Sequence, residues 1–335
     1  MKATRIPGSN SLELCLSHSI AGECVTIWTN TLASWKDSLN ISTYLKESLF
    51  LTTVLLAKEG GMTTWVLRAL TSDRAGNVSD TIVHGIASVF CCPDYRGRGY
   101  ALRMMRELAK VLLTCILYSD ISKSYYAAFG WNPSLTNTHV VFPPKTSNNL
   151  TTKHIPVGDL PRLCEKDESM IRRAMAALAE KSKTRLTIML DLDHMLWHIG
   201  KEDFACKILF GKVPYAKGAI AGLLGTQVWA IWTHRYYANP DAKTDDNTLY
   251  ILRLVVENSE WEDIHLPDRE KNPGYRQQVS HLQAVLVAAQ NEAALWKLDQ
   301  VKLWHPTPAV QEMIHLSGIE YSMVEREEDS IASGI

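Results

Sequence analysis

The sequence lacks both a surplus of charge and a long apolar run. Among 335 residues there are 35 Lys and Arg against 36 Asp and Glu. A general attraction to nucleic acid or to an anionic membrane needs a basic surplus, so we expect neither as a partner. The start, MKATRIPGSN, has no apolar signal segment, and LFLTTVLLA at 49–57 is too short and too polar to span a bilayer. These absences predict a cytoplasmic protein with a small-molecule partner, and they carry no signal for an oligomeric state.

Metal-binding patterns are also absent. The seven cysteines form no CxxC pair or Cys/His ladder, so we expect reduced thiols. His194, His198 and Glu202 are spaced by four residues and share one face of a predicted helix. The metalloprotease pattern needs glutamate directly after the first histidine, where this chain has Met195. We therefore expect no metal and interpret these residues first as an ordinary polar helix face; a face that lines a substrate pocket is the alternative.

The length is sufficient for two domains, each with its own core. The stretch NPSLTNTHVVFPPKTSNNLTT at 132–152 is dense in Asn, Pro, Ser and Thr, which predicts a linker. We place the boundary near residue 147 and expect domains over 1–147 and 148–335. The second half repeats the strand and helix order of 81–145, which suggests a degenerate structural copy of the first domain.

Periodicity predicts a mixed α/β fold. TIVHGIASVF at 81–90 is apolar on both alternating faces, as in a central strand covered on both sides. Ala101, Met105, Leu108 and Leu112 recur at helical spacing, which predicts an amphipathic helix lying on a sheet. Further helices are predicted near 22–36, 43–56, 122–131, 160–182, 191–210, 275–296 and from Pro308, and further strands near 11–17, 63–70, 115–121, 226–237, 247–257, 299–306 and 319–327.

A turn with two arginine-glycine pairs, CCPDYRGRGYALRMM at 91–105, joins this strand to this helix. A helix start leaves free backbone N–H groups and a partial positive charge, so a glycine-rich turn there is typical of a phosphate cradle. Gly97 and Gly99 let the backbone approach a ligand, and Arg96 and Arg98 add donors of the right charge. A dinucleotide fingerprint would need a third glycine at Leu102, and a P-loop would need Lys-Ser/Thr. An RNA-binding fragment and a plain structural turn are the alternatives.

The pattern Arg96-x-x-Gly99-x-Ala101 resembles the pyrophosphate loop of GNAT acyltransferases, which holds the diphosphate of acetyl-CoA. SYYAAFGW at 124–131 resembles the second signature of that family, with Tyr126 at the position of its tyrosine. The resemblance implies acetyl-CoA as cosubstrate and Tyr126 as the group that returns a proton to the departing thiolate. The cofactor-binding residues that it implies, the first three through their backbone, are Val89, Phe90, Cys91, Arg96, Gly97, Arg98, Gly99, Tyr100 and Ala101.

Longer segments resemble fungal L-lysine N-acetyltransferases of the lysine-degradation type. These segments are HGIASVFCCPDYRGRGYALRMMRELA, LYSDISKSYYAAFGW, DHMLWHIGKEDF, VWAIWTHRYY and NTLYILRLVVE. The resemblance implies a GNAT fold of the α/β (α+β) class, whose central mixed, mostly antiparallel sheet is flanked by helices. It also implies a C-terminal GNAT-like domain that helps to form the acceptor site. Few residues separate WVLRAL from TIVHGIASVF, where the family has a further strand, so this sheet is one strand short or its strands are rearranged.

The activity that this resemblance implies is direct transfer of an acetyl group to the side-chain amine of free L-lysine. The same chemistry on another small amine is one alternative, and a non-catalytic acyl-CoA binder is another. Acetylation of protein lysines is less favoured, because a second domain would restrict access for bulky substrates.

The acceptor amine must lose a proton, because a lysine side chain has a pKa of about 10.4 and is almost wholly charged at pH 7. In this fold a carboxylate or histidine near the central strand serves as base, while strand N–H groups polarise the thioester carbonyl. His84, in the predicted central strand, is the first candidate, and Asp120, after the next strand, is the second. A hydrogen-bonded core role for His84 and a helix-capping role for Asp120 stay open.

Overall fold

A computed structural model describes residues 8–12, 16, 19, 21–57, 65–72, 78–87, 89–112, 115–147, 151–177, 185–242, 246–257, 271–328 and 330–334. The predicted strand at 11–17 lies mostly outside these ranges. No helix within them is both long enough and apolar enough to cross a bilayer.

The helices begin within about two residues of the predicted positions, whereas the second, fourth and fifth end about four to six residues earlier than predicted. They are α1 (Ala21–Trp35), α2 (Ile41–Leu51), α3 (Tyr100–Val111), α4 (Lys123–Ala127), α5 (Leu160–Ala176), α6 (Leu192–Phe210), α7 (Pro273–Leu295) and α8 (Pro308–Leu316). Side-chain caps fix four of the described starts: Asn40 accepts from the N–H of Thr43 at α2, Asp191 from that of His194 at α6, Asn272 from that of Gly274 at α7 and Thr307 from that of Val310 at α8.

Two sheets form the frame of the molecule. Their strands are β1 (Trp65–Ser72), β2 (Val78–Ile86), β3 (Cys115–Ser119), β4 (Asn132–Pro133), β5 (Thr138–Phe142), β6 (Lys153–His154), β7 (Arg185–Ile188), β8 (Gly218–Ala221), β9 (Val228–Arg235), β10 (Thr248–Val256), β11 (Gln300–Trp304), β12 (Ser322–Glu325) and β13 (Ile331–Gly334). The first sheet has the order β4-β13-β3-β2-β1-β7, and the second has the order β12-β5-β11-β10-β9-β8-β6.

Each sheet contains one parallel pair. In the first sheet β2 pairs in parallel with β3 and the connection runs through α3. In the second sheet β10 pairs in parallel with β11 and the connection runs through α7. The other strand pairs are antiparallel. The expected mixed, mostly antiparallel sheet is therefore confirmed, and the second half repeats its strand–helix–strand unit.

The sheets exchange strands across the middle of the chain. β5 lies before residue 147 but belongs to the second sheet, whereas β7 and β13 lie after it and complete the first. The linker predicted over 132–152 is wrong. The segment contains β4 and β5, and its residues Val140 and Phe142 are buried in the hydrophobic core of the second sheet. The first sheet takes β7 and β13 from the second half of the chain, and both possibilities for this sheet stay predictions. The division at residue 147 stays a prediction.

The main core lies in the second half. The helix α7 packs against β8, β9, β10 and β11. Trp232, Leu249, Leu282, Leu286 and Val301 are fully buried between this helix and the sheet. Close packing of this core holds α7 and the second sheet in fixed positions.

Candidate active site

The predicted central strand ends earlier than its apolar pattern suggests. β2 stops at Ile86, whereas the apolar run continues to Phe90. Val89, Phe90 and Cys91 lie in an irregular segment in front of a 3-10 turn at Pro93–Tyr95. Proline has no N–H to add to a sheet ladder, which favours a break before Pro93.

The arginine-glycine turn presents free backbone donors. Gly97 and Gly99 have φ angles of 70° and 82°, the left-handed region that favours glycine, and Gly99 is the N-cap of α3. The N–H groups of Gly97, Arg98 and Gly99 make no hydrogen bond within the described ranges, and all three residues are exposed. Three successive free donors in front of a helix start can hold an anion.

The two arginine side chains of the turn have different partners. Arg96 donates from Nε to the backbone oxygen of Cys91 at 3.0 Å. Its guanidinium carbon lies 5.8 Å from the centre of the Phe90 ring. The guanidinium carbon of Arg98 lies 5.7 Å from the centre of the Tyr95 ring. The structure thus brings Phe90, Cys91 and Arg96 together in one loop.

An N-terminal segment lies against the same turn. Arg103 Nη1 donates to the backbone oxygen of Ser9 at 3.2 Å and to that of Ser11 at 3.4 Å. A Cβ atom on Gly99 would lie 3.0 Å from Ser9 Oγ. Sequence reasoning missed this contact because 94 residues separate Ser9 from Arg103.

A depression of about 480 Å³ runs along the outer face of α3. Its lining is mainly charged: Arg103, Arg106, Glu107, Ala109, Lys110 and Phe129. Glu107 lies 2.8 Å from Arg103 Nε and 3.0 Å from Lys110 Nζ. With three basic side chains and one acidic one, the depression extends the positive surface of the turn along the helix.

Tyr126 lies in α4 and is buried, with 6% of its surface exposed, beside Met105, Leu117 and Trp131. Burial is the main cause that raises the pKa of Tyr126 to about 12, and the charge of Asp120 adds to it. The hydroxyl therefore keeps its proton at neutral pH and can donate it.

His84 lies in β2, two residues before Ile86 and on the same side of the strand. Ile86 packs under α3 against Met105 and Leu108, so His84 faces α3 as well. Its Nδ1 atom is buried and makes no hydrogen bond in the described part of the chain. Among the described residues, His84 therefore has no hydrogen-bond partner at Nδ1 of the kind that a core histidine would have.

Asp120 is exposed after β3. Its Oδ1 atom accepts a hydrogen bond from the N–H of Ser330 at 3.0 Å, directly before β13. The capping of α4 that the sequence left open is not seen, since Ser122 is the N-cap. Asp120 therefore anchors the inserted strand β13, and its charge is also felt at Tyr126.

The polar residues of α6 do not converge on one point. His194 Nδ1 lies 2.7 Å from Asp191 Oδ1, whereas Glu202 forms ion pairs with Lys217 and His234. No three His, Cys, Asp or Glu side chains among the described residues are placed to hold a metal ion.

The sequence also matches a known family. A family model described as the LYC1 GNAT-like C-terminal domain covers residues 139–334, more than half of the chain. The chain belongs to the LYC1 GNAT-like family. The paired strand–helix–strand units and the second, GNAT-like half agree with this membership.

The LYC1 GNAT-like chain is also similar to a curated protein of Yarrowia lipolytica named lysine acetyltransferase. The two are 23% identical over 247 residues, which cover 57% of this chain and 59% of the relative. The chain thus spans less than two thirds of the length of that relative.

Solved structures give weaker likenesses to the LYC1 GNAT-like chain. A GCN5-related N-acetyltransferase from Anabaena variabilis has a TM-score of 0.45 and 11% identity, with 89% of this chain and 71% of the other covered. Eis1 from Mycobacterium abscessus has a TM-score of 0.44 and 12% identity, with 94% and 71% covered. TM-scores of this size carry no argument, so the fold rests on the two sheets and on the family model.

Proposed function

We propose that the protein is an N-acetyltransferase that moves the acetyl group of acetyl-CoA to the side-chain amine of free L-lysine. The observation that carries the proposal is the exposed turn at 96–99, where three free N–H groups and two guanidinium groups precede α3. A diphosphate suits these donors, because it offers several charged acceptor oxygens to N–H groups of fixed direction.

The residues of the turn suit acetyl-CoA in more than charge. The N–H groups of Gly97 and Gly99 are exposed, and neither donates to an acceptor in the part of the chain that the structure describes. The depression along α3 continues the positive surface beyond the turn, which suits the phosphorylated nucleotide end of the molecule. The irregular segment at Val89–Cys91 lies outside the strand, so the backbone of Val89 and Phe90 suits the pantetheine arm, whereas the Cys91 oxygen already accepts from Arg96.

Three proton movements are required of this chain: the ammonium loses one proton before it attacks, the thiolate gains one, and the nitrogen loses a second proton once it is bonded to the acetyl carbon, which restores the hydroxyl of Tyr126. Acetyl-CoA supplies the activated acyl group: the amine nitrogen forms a bond to the acetyl carbon while the carbon–sulfur bond breaks and leaves a thiolate. Tyr126, whose pKa is raised to about 12, holds the proton that the thiolate needs. The proton of the incoming ammonium must go to a base, and we keep His84 as the first candidate and Asp120 as the second.

A thiol-release assay with acetyl-CoA and a panel of amino acids and polyamines tests the proposal. We expect release with L-lysine that is strongly reduced in Arg96→Ala and retained in Arg162→Ala, an exposed arginine on α5. Release only with another amine would retain the chemistry and change the acceptor. No release with any amine would contradict an enzymatic role.

A non-catalytic acyl-CoA binder is the second candidate function. It is favoured by one observation: within the described ranges neither His84 nor Asp120 makes a hydrogen bond to Tyr126. A binder would show acetyl-CoA affinity that depends on Arg96 but no thiol release with any amine in the panel.

A further inference from the structure

Four charged side chains meet where the α1–α2 pair packs against the second half of the chain. Asp37 lies between α1 and α2, Glu47 lies in α2, Lys201 in α6 and Arg235 at the end of β9. Arg235 Nη2 is 2.7 Å from Asp37 Oδ2. Lys201 Nζ is 3.8 Å from Asp37 Oδ2 and 3.9 Å from Glu47 Oε2. We call these four residues the mixed-charge cluster.

Protein partners do not saturate the mixed-charge cluster. The two Lys201 distances are too long for hydrogen bonds, and within the described ranges neither Lys201 nor Glu47 makes one. The Nε atom of Arg235 is buried and also makes none there. Buried charged groups of this kind are stabilised by any ligand that brings complementary charges and hydrogen-bonding groups.

The pKa shifts of the cluster agree with this geometry. Burial raises the pKa of Glu47, although Lys201 and Arg235 oppose the shift. Burial, and next the charge of Arg235, lower the pKa of Lys201. Both shifts disfavour the charged form, so each charge is incompletely compensated where it lies.

The cluster has balanced charge. Two carboxylates face two cations, and the nearby His198 adds no charge at pH 7 because burial, Arg235 and Lys201 lower its pKa to about 4. A balanced cluster favours a ligand whose opposite charges are close together. The α-ammonium and α-carboxylate groups of an amino acid form such a pair, whereas a diamine or a dicarboxylate does not.

The four side chains of the cluster differ in exposure. The exposed fraction of the side chain falls from 26% at Arg235 to 18% at Lys201, 12% at Asp37 and 3% at Glu47. A small ligand can therefore meet Arg235 first and reach Glu47 last.

One aromatic contact links the neighbourhood of the cluster to the arginine-glycine turn. The ring of Trp35, two residues before Asp37, lies 6.1 Å from the ring of Phe90. The guanidinium of Arg96 lies over the ring of Phe90. Asp37 itself has φ of 50°, a strained conformation for a non-glycine residue of the kind often found at functional sites. The cluster thus lies on the junction between the two halves and is linked to the turn through Trp35 and Phe90.

We propose that Lys201 and Arg235 bind the α-carboxylate of an amino-acid acceptor and that Asp37 and Glu47 bind its α-ammonium. This inference rests on the proposed acetyl transfer and identifies the head group that the acceptor must carry. Holding the head group here leaves the distal amine free to extend toward the thioester.

Steady-state kinetics of the full chain test the cluster. The variants are Arg235→Gln and Glu47→Gln, and the matched control is Arg253→Gln, whose arginine pairs with Asp167 at 2.7 Å outside the cluster. We expect each cluster variant to raise the KM for L-lysine about tenfold or more, since a charged hydrogen bond contributes that much to binding. The KM for acetyl-CoA should stay within about twofold in all three variants. Arg235→Gln should leave the KM for 1,5-diaminopentane, which has no carboxylate, unchanged or lower.

An unchanged KM for L-lysine in folded Arg235→Gln overturns the proposal, even if the melting temperature falls, because an ion pair with only a structural role would behave in that way. If Glu47→Gln does not fold, Arg235→Gln alone decides.

If the wild-type protein releases no thiol with any amine, the proposed function fails. Equilibrium dialysis of labelled L-lysine against the CoA-saturated protein then tests the cluster separately. Binding that is weakened tenfold in Arg235→Gln but not in Arg253→Gln supports the cluster, and absent or equal binding contradicts it.

Discussion

Arg96 and Cys91 are joined by a hydrogen bond of 3.0 Å from Nε to the backbone oxygen, across the 3-10 turn at Pro93–Tyr95. This bond fixes the stem of the Arg96 side chain while its terminal nitrogens remain at the exposed turn. A guanidinium held in this way loses little further freedom when it binds a phosphate.

Arg96→Ala should therefore weaken acetyl-CoA binding. We expect a loss of about 1.5–3 kcal/mol, roughly ten- to a hundredfold in affinity, because a charged hydrogen-bond donor is removed. Isothermal titration with acetyl-CoA measures the effect, with Arg162→Ala as the control. Equal affinities in the three proteins would place the cofactor elsewhere.

Gly99→Ala should impair both folding and binding. The backbone φ of 82° is unfavourable for alanine, and the added Cβ would meet Ser9 Oγ at 3.0 Å. We expect a loss of about 1–2 kcal/mol in the free energy of unfolding, measured by urea denaturation. Gly158→Ala is the matched control, because no atom lies within 4 Å of its added Cβ. Equal losses in the two variants would argue against a strained turn.

Tyr126→Phe should lower kcat about ten- to a hundredfold and leave the affinity for acetyl-CoA unchanged, because it removes one proton donor. Since the pKa of Tyr126 is raised to about 12, its hydroxyl stays protonated throughout the accessible range. We therefore expect that titration of Tyr126 does not lower kcat between pH 8 and 10. The pH profiles of kcat for the wild type and for Tyr126→Phe should have the same shape over this range. A fall in the wild type alone would mean that the tyrosine titrates well below its expected value.

His234 should make stability depend on pH. Burial opposes the charged ring, but Glu202 and then Glu292 outweigh it and raise the pKa of His234 to about 9. An unfolded histidine has a pKa of about 6.5, so the stabilisation is fully present below about pH 6.5 and is lost as the pH rises through about 9. We expect a decrease on the order of 1–3 kcal/mol in the free energy of unfolding over this window. Urea denaturation of His234→Gln should give a flatter profile, and an equally steep one would contradict the assignment.

Ile331→Ala should lower the free energy of unfolding, because β13 is an integral strand of the first sheet. Ile331 is fully buried and pairs with Ser119 of β3, and β13 lies between β3 and the edge strand β4. Loss of a buried isoleucine costs about 2–4 kcal/mol, which thermal denaturation can measure. Ile208→Ala, at a side chain with 54% exposure, is the control and should change stability by less than about 0.5 kcal/mol. A similar small effect at Ile331 would mean that the strand is dispensable.

Local periodicity was sufficient for much of this fold. The apolar spacing of α3 placed the helix within one residue of its observed end at Val111. The same signal overextended β2, because Val89 is apolar for packing beneath α3 and not for pairing in a sheet. Composition misled at 132–152, where Asn, Pro and Thr residues surround the buried Val140 and Phe142.

Contacts between distant segments could not be read from local patterns. β7 and β13 have four residues each and take their places only from partners far along the chain. The mixed-charge cluster likewise joins Asp37 and Glu47 to Lys201 and Arg235, which no spacing rule connects. Glu202 shows the reverse case, since its helical spacing predicted a polar helix face while its side chain is buried with Lys217 and His234 as partners.

A crystal structure of the protein with coenzyme A tests the central claim most directly. We predict that the diphosphate accepts hydrogen bonds from the N–H groups of Gly97, Arg98 and Gly99, with the guanidinium of Arg96 in contact and the sulfur within reach of the Tyr126 hydroxyl. A nucleotide bound elsewhere, with residues 96–99 covered by the segment at 8–12, would contradict it.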